Sequence, residues 1–270
     1  MNKNQPFFSV IICCFNSEKF IKETIESVIY QTFKDWEIVV VDDGSNDLTG
    51  SIIKDYISDG VNINYIFQVN KGFASARNKC LELAKGQWIV IIDHDDLCLP
   101  GRLDIHYKQI LDNPDCGFFF GDTIHFSYED PEVGKHFDKF NIEEIKLNRE
   151  HVSKSLIDSG CFIDSESVVF KKDIALNNVK FNESFKYVAD YDFFIRMGFY
   201  TNFSYTKEVL SKWRIHKSQA TENMHLTYKI ETIKLLAGLF WVKTFDLKAK
   251  ISIVLKLLKS ILKLILKPRS

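Results

Sequence analysis

Three carboxylates fall within four residues at Asp93-His94-Asp95-Asp96, directly behind the apolar run Ile89-Val90-Ile91-Ile92. Crowded at the end of a buried strand, they repel one another unless something cationic sits among them. Oxygen donors of this kind suit a hard octahedral ion such as Mg²⁺ or Mn²⁺, which commonly also takes phosphate oxygens. The plainer alternative is a solvated acidic turn ahead of the helix that follows Pro100, because carboxylates favour helix N-termini. Val39-Val40-Val41-Asp42-Asp43-Gly44-Ser45 repeats the arrangement one strand earlier. A carboxylate there can accept hydrogen bonds from ribose hydroxyls or a base N–H, although Asp, Gly and Ser also make turns in their own right.

Three more groups carry possible chemistry. Arg77, in Lys71-Gly72-Phe73-Ala74-Ser75-Ala76-Arg77-Asn78, can bind phosphate, stack on a base or make an ordinary salt bridge. Asp190, in Ala189-Asp190-Tyr191-Asp192, opens a helix and reads first as its N-cap, with a general base facing a cleft as the alternative. His216, behind Trp213-Arg214-Ile215, can complete a metal shell or touch a diphosphate. The other six histidines show no ligand spacing and are assigned no role. Neither G-x-G-x-x-G nor a P-loop is present, so a nucleotide would be held by carboxylates, a metal and scattered basic groups.

The elements that must position these groups alternate. Residues 7–14 and 36–41 are short, nearly continuous apolar runs, the pattern of parallel strands covered on both faces. Between them Phe20, Ile21, Thr24, Ile25, Val28 and Ile29 recur at helical spacing behind Ser17, the expected N-cap. A helix over 48–57, a strand over 63–67, a helix over 74–84, a strand over 88–92 and a helix ending near 111 follow. Further strands are expected over 117–120, 167–170 and 209–215, with a helix over 191–200. Residues 122–165 read only as loops and short pieces. The alternation predicts an α/β fold with a doubly wound, mostly parallel central sheet flanked by helices. Such sheets bind ligands at the carboxyl ends of their strands, where Asn16, Asp42, Asp43 and the 93–96 cluster fall.

With 46% hydrophobic and 26% charged residues in 270, the composition is globular and excludes disorder. A net charge of −1 gives no global field for nucleic acid, yet the charge is segregated. Residues 241–270 carry eight basic groups and one acid, +7, which leaves −8 on the first 240. Six cysteines show no C-x-x-C spacing, and Cys13 and Cys14 should point to opposite faces of a strand, so reduced thiols in the cytosol are expected. No uncharged apolar run approaches the roughly 20 residues of a membrane-spanning helix. On a helix over 247–266, Ser252, Lys256, Lys259, Ser260, Lys263 and Lys267 share one face, with Ile251, Leu255, Leu258, Leu262 and Ile265 opposite. That pattern suits a helix lying in the plane of an anionic membrane surface, or one packing on its own domain or a partner subunit.

As a set, these residues resemble the family 2 inverting glycosyltransferases, which have the GT-A fold. The resemblance runs from residues 8–16 through Ser27-Val28-Ile29-Tyr30-Gln31-Thr32, the 36–45 strand and loop, Gly72 with Arg77-Asn78, and Asp93-His94-Asp95-Asp96 with Pro100. It closes with Asp190-Tyr191-Asp192 and Arg214-Ile215-His216. The resemblance implies transfer of a sugar from a nucleotide-sugar, such as a UDP-sugar, to a glycan or lipid-linked acceptor in surface polysaccharide synthesis. It implies that Phe15, Asn16, Asp42, Asp43, Arg77 and Asp93 lie at the nucleotide. Asp93, Asp95, Asp96 and His216 would hold Mn²⁺ or Mg²⁺, and Asp190 would be the catalytic base. Cys13 and Cys14 stand where the family usually has Pro-Thr, and Ala189 where many members have Glu. A sugar nucleotidyltransferase shares metal carboxylates and a parallel sheet, but normally carries a Gly-rich basic loop where Asn16-Ser17-Glu18 stands. A non-catalytic nucleotide- or glycan-binding module is disfavoured by Asp95 and Asp190. The expected layout is a GT-A domain over 1–218, a helical connection over 219–246 and a membrane-associating helix over 247–270. The whole would sit peripherally on the cytoplasmic face of the cell membrane, with oligomers possible.

Overall fold

The computed structural model describes residues 5–217, 219 and 225–265. The chain runs β1 (Phe8–Cys14), α1 (Ile21–Ile29), β2 (Trp36–Asp42), α2 (Thr49–Ser58), β3 (Ile63–Phe67), α3 (Phe73–Leu83) and β4 (Trp88–Ile91). There follow β5 (Leu97–Cys98), α4 (Arg102–Asp112), β6 (Cys116–Phe126), β7 (Gly134–Lys135), α5 (Val152–Ser159) and β8 (Val169–Lys171). A short turn α6 (Lys172–Ile174), then α7 (Ala189–Met197), β9 (Asn202–Arg214), α8 (His225–Phe240) and α9 (Leu247–Ile265) complete it.

The strand order is β3-β2-β1-β4-β8-β6-β9-β5, with β7 on β6. The four strands β3, β2, β1 and β4 are parallel. Beyond β4 the direction changes: β8 runs antiparallel to both β4 and β6, and β9 is parallel to β6. Every residue of β1 is buried, with Phe8, Val10, Ile12 and Cys14 in one core and Ile11 and Cys13 in the other. Helices α1, α2 and α4 cover the first face, while α3, α5, α7, α8 and α9 cover the second. Burial on both sides is why these strands read as unbroken apolar runs. Cys13 and Cys14 point apart as expected, and all six cysteines are free.

Several expectations need correction. Ser17 is not the cap of α1: Phe20 occupies that position with no side-chain bond. Ser17 instead offers its carbonyl to the N–H groups of Phe20 and Ile21, and its hydroxyl accepts the Phe15 N–H at 3.2 Å. The strand expected over 117–120 continues to Phe126. Its apolar pattern breaks at Gly121-Asp122 because the ladder to β9 shifts register there. A side chain at Gly121 would collide with Leu210, 2.5 Å away. The strand expected over 209–215 begins at Asn202, and the unreadable stretch 122–165 contains α5, which buries Val152, Leu156 and Ile157.

Helix α9 lies against α5. Ala249 and Ile253 are buried, Ser252 donates to Asp158, and Lys256 donates to the Ile157 carbonyl. The apolar stripe Ile251, Leu255, Leu258 and Leu262 faces away, each residue more than half exposed. Lys267 and the side chains of Lys263 and Ile265 lie outside the described residues. Among the described residues no helix is long and apolar enough to cross a membrane.

Candidate functional site

The carboxyl ends of β1, β2 and β4 open into a cleft of about 1040 Å³ lined by Phe15, Asp43, Asp93, Asp95 and Asp190, among others. The loops after β1 and β2 are laced together. Asn16, at φ +50°, donates its N–H to Ser45 Oγ at 2.8 Å, and its Oδ1 accepts the Asn46 N–H at 3.0 Å. Asp42 is turned inward, where it accepts the Ser45 N–H at 2.8 Å and the Tyr65 hydroxyl at 3.0 Å. The geometry thus gives Asp42 and Asn16 loop-shaping contacts and leaves Phe15 and Asp43 on the cleft wall. Asp43 accepts the N–H groups of Lys71 and Gly72 at 2.9 and 2.8 Å. Gly72 sits at φ +92°, a backbone conformation that glycine adopts without strain, and from there it opens α3.

Helix α3 brings Arg77 behind the cleft wall, 1% exposed, with its guanidinium 4.4 Å from the Phe73 ring centre and 5.3 Å from that of Phe181. It bonds Asp93 at 2.8 Å and pairs with Asp190 on its other side. Asp190 is the second residue of α7, and Val188 stands at the cap position, so the capping alternative is excluded. The loop entering α7 is held by a residue the sequence did not single out. Glu231 of α8, 6% exposed, accepts the N–H groups of Lys186, Tyr187 and Val188 at 2.9, 2.8 and 3.2 Å.

Two further buried arginines fix the backbone around the acidic cluster, whose one ion pair to an arginine among the described residues is Asp93–Arg77. Arg102 donates to the carbonyls of Ile91 and Val168, fixing the end of β4 against the start of β8. Arg214 donates through its backbone N–H to Asp96 Oδ1 at 2.7 Å, and through Nε to the Asp95 carbonyl at 2.7 Å. Asp96 is therefore packed inward, 1% exposed, with its Oδ2 unpartnered among the described residues. Asp95 faces the cleft, where its Oδ2 lies 2.8 Å from His216 Nε2.

Because β8 runs back against β4, Glu166 arrives beside the cluster. One carboxylate oxygen from each of Asp93, Asp96 and Glu166 lies within 4.8 Å of the others. Burial, with neighbouring carboxylates, pushes Asp93 up to about 7 and Glu166 up to about 8, while Arg77 works against the rise at Asp93. Asp96 is raised well above the usual range, first by burial and then by Glu166. Two of the histidines left without a role also meet here: His125, His136 and Asp164 line the far side of the cleft. Burial, then Lys139, pushes His136 down to about 4 and so keeps it neutral. Glu166, Glu231 and this trio carry no motif. Their proximity arises from the reversed strand β8, the β6–β7 hairpin and the docking of α8.

Comparison with known proteins agrees with this geometry. The model of the family described as glycosyl transferase family 2 matches residues 9–172. An uncharacterized glycosyltransferase of Rickettsia typhi is 34% identical over 82% of this chain and 67% of its own length. One of Methanocaldococcus jannaschii is 33% identical over 78% of this chain and 72% of its own. Among solved structures, S. aureus TarS 1-349 in complex with UDP-GlcNAc superposes with a TM-score of 0.72 at 19% identity, over 95% of this chain and 72% of that one. The chain spans 43% of the longer TarS structure. Mannosyltransferase PcManGT from Pyrobaculum calidifontis in complex with GDP-Man and Mn²⁺ superposes with a TM-score of 0.70 at 17% identity, over 97% of this chain and 73% of that one. These likenesses carry the GT-A fold, and the family match carries the assignment: the chain is a glycosyltransferase and belongs to glycosyltransferase family 2.

Proposed function

We propose that this chain is an inverting transferase that moves a sugar from a nucleotide-sugar, a UDP-sugar in the first instance, to a hydroxyl of a glycan or lipid-linked acceptor in surface polysaccharide synthesis. The observation that carries the reading is the meeting of Asp43, Asp93, Asp95 and Asp190 on one cleft, with Arg77 bonded to two of them. Asp43 and Phe15 suit the base, and Arg77, buried behind them, holds Asp93 and Asp190 beside the nucleotide. Asp190 takes the acceptor hydroxyl proton. The acceptor oxygen forms the new bond to the anomeric carbon from the face opposite the leaving group. The old carbon–oxygen bond breaks with its electron pair going to the nucleoside diphosphate. No sugar–enzyme bond is needed.

The donor set fits a divalent ion. The unpartnered Asp96 Oδ2, the clustered carboxylates and the Asp95–His216 pair present hard oxygens with one imidazole, the chemistry of Mn²⁺ or Mg²⁺. Asp93, Asp95, Asp96 and His216 would hold it. Such an ion offsets the negative charge that develops on the departing diphosphate. Asp190→Asn should lower transfer by at least about 10³-fold while UDP binding is unchanged, as read by product formation and calorimetry. Near-normal turnover by that variant refutes the assignment.

The C-terminal helix supports a peripheral place on the cytoplasmic membrane face. Its exposed stripe Ile251, Leu255, Leu258 and Leu262 is not the side that docks on α5. Lysines flank the stripe, as at an anionic headgroup boundary. Deleting residues 247–270 should release the protein from phosphatidylglycerol-containing liposomes in a sedimentation assay. Full retention of the shortened chain defeats the membrane role.

A further inference from the structure

The cleft also holds an imidazole with one nitrogen that no neighbouring group satisfies. His136 has a side chain only 13% exposed, yet its Nε2 is buried with no hydrogen-bond partner among the described residues. Its Nδ1 stands 3.6 Å from Asp164 Oδ2, beyond hydrogen-bond reach. On the other side of the same carboxylate oxygen, His125 Nε2 lies at 3.3 Å. One ligand atom from each of the three residues lies within 4.8 Å of the others.

The geometry points to a second metal site, in which His125, His136 and Asp164 bind one divalent transition-metal ion of the Zn²⁺ class. Two ligands at zinc bond lengths of 2.0–2.1 Å, disposed tetrahedrally, stand about 3.3–3.4 Å apart. The 3.3 and 3.6 Å separations from Asp164 are close to that spacing, whereas a strong imidazole–carboxylate hydrogen bond would be shorter. Two imidazoles with one carboxylate are a borderline donor set, unlike the oxygen-rich cluster of Asp93, Asp96 and Glu166. Aromatic rings set the orientation of both ligands: Trp213 lies 4.8 Å from the His125 ring and Phe140 lies 5.3 Å from that of His136.

The three ligands come from different segments: the end of β6, the stretch after β7, and the loop before β8. An ion there fastens those segments around the cleft. With three protein ligands, one coordination position is left for water or an oxygen of a molecule in the cleft. This goes beyond sugar transfer and does not depend on it.

The test uses the full chain, stripped with chelator, in the Asp95→Ala background so that the carboxylate–His216 pair cannot hold metal. Zn²⁺ alone is titrated against a chromophoric competitor, and Co²⁺ alone is followed by its visible absorption. One equivalent of Zn²⁺ is expected, together with the intense Co²⁺ bands of a four- or five-coordinate ion. Adding His136→Gln or Asp164→Asn should weaken Zn²⁺ by at least about tenfold and abolish those bands, with metal-free melting temperatures unchanged. Unchanged Zn²⁺ affinity and Co²⁺ spectra in both variants overturn the site. So does a parent chain that takes up no Zn²⁺. If either variant melts lower without metal, His125→Asn replaces it under the same criteria. Failure of transfer in the Asp190→Asn experiment leaves these readouts untouched, so the two proposals fail separately.

Discussion

The two walls of the cleft are built on different principles. The wall made by β1, β2 and β4 hangs its carboxylates directly off buried parallel strands; the loops after β1 and β2 are laced to each other, and the one after β4 is tied to Arg214 at the end of β9. The parts that carry Asp190 and the His125–His136–Asp164 trio are assembled from distant pieces: α8 supplies Glu231, the β6–β7 hairpin brings the two histidines together, and the loop before β8 brings Asp164. The first wall is stiff because its backbone belongs to the sheet. The second is only as firm as the side chains that tie loops to helices, so single substitutions far from the cleft should loosen it.

That contrast can be broken most severely at Asp95. Asp95→Ala should weaken Mn²⁺-dependent nucleotide-sugar binding by about 100-fold in calorimetry, while metal-free nucleotide binding changes little. Equal affinity with and without metal in both proteins removes the ion from the first wall. Next comes Glu231→Gln, which keeps one acceptor oxygen for three backbone donors. Its kcat should fall about tenfold with the KM for donor unchanged, since the loss concerns the loop that aims Asp190 and not the donor wall. A donor KM that rises in parallel would show that the walls are not separable.

The smallest effect is in stability. Asp93, at about 7, and Glu166, at about 8, keep protons in the native state that ordinary carboxylates near 4 release from the unfolded chain. From pH 5 to pH 8 the native protein therefore binds more protons than the unfolded one, and its stability falls. Asp164, Asp95 and Asp96 face this pair and deepen the effect, while Arg77 opposes it at Asp93. The ligand-free melting temperature should drop on the order of 5 °C over that range, and Glu166→Gln should flatten the slope. A flat profile in the parent chain would mean that the cluster is ionised throughout.

The same division explains what the sequence disclosed. Residues 8–112 were legible almost element by element, because strands covered on both faces print continuous apolar runs and the intervening helices print a single stripe. The acids behind β2 and β4 stood out as charge set against those runs. Beyond Phe120 the signal fails where the register shift admits Asp122, whose carboxylate accepts the N–H groups of Thr123 and Phe137. Helix α5 spans only eight residues, too short to impose a period. At Asp190 the local sequence favours an N-cap and only the family resemblance implies a base, since it takes the fold to bring Arg77 to it. Glu166, His125 and His136 acquire their neighbours from strand reversal and hairpin geometry, which no local spacing encodes.

The three backbone bonds accepted by Glu231 also bear on how this enzyme could be divided or recombined. A cut at residue 218 looks natural from the chain's composition, yet it would strip the acceptor from under the loop that aims Asp190. A portable catalytic module has to carry α8 with it, so exchange of C-terminal segments between relatives should join downstream of Phe240. Grafts made upstream of that point would inherit a cleft in which the loop before Asp190 is no longer held.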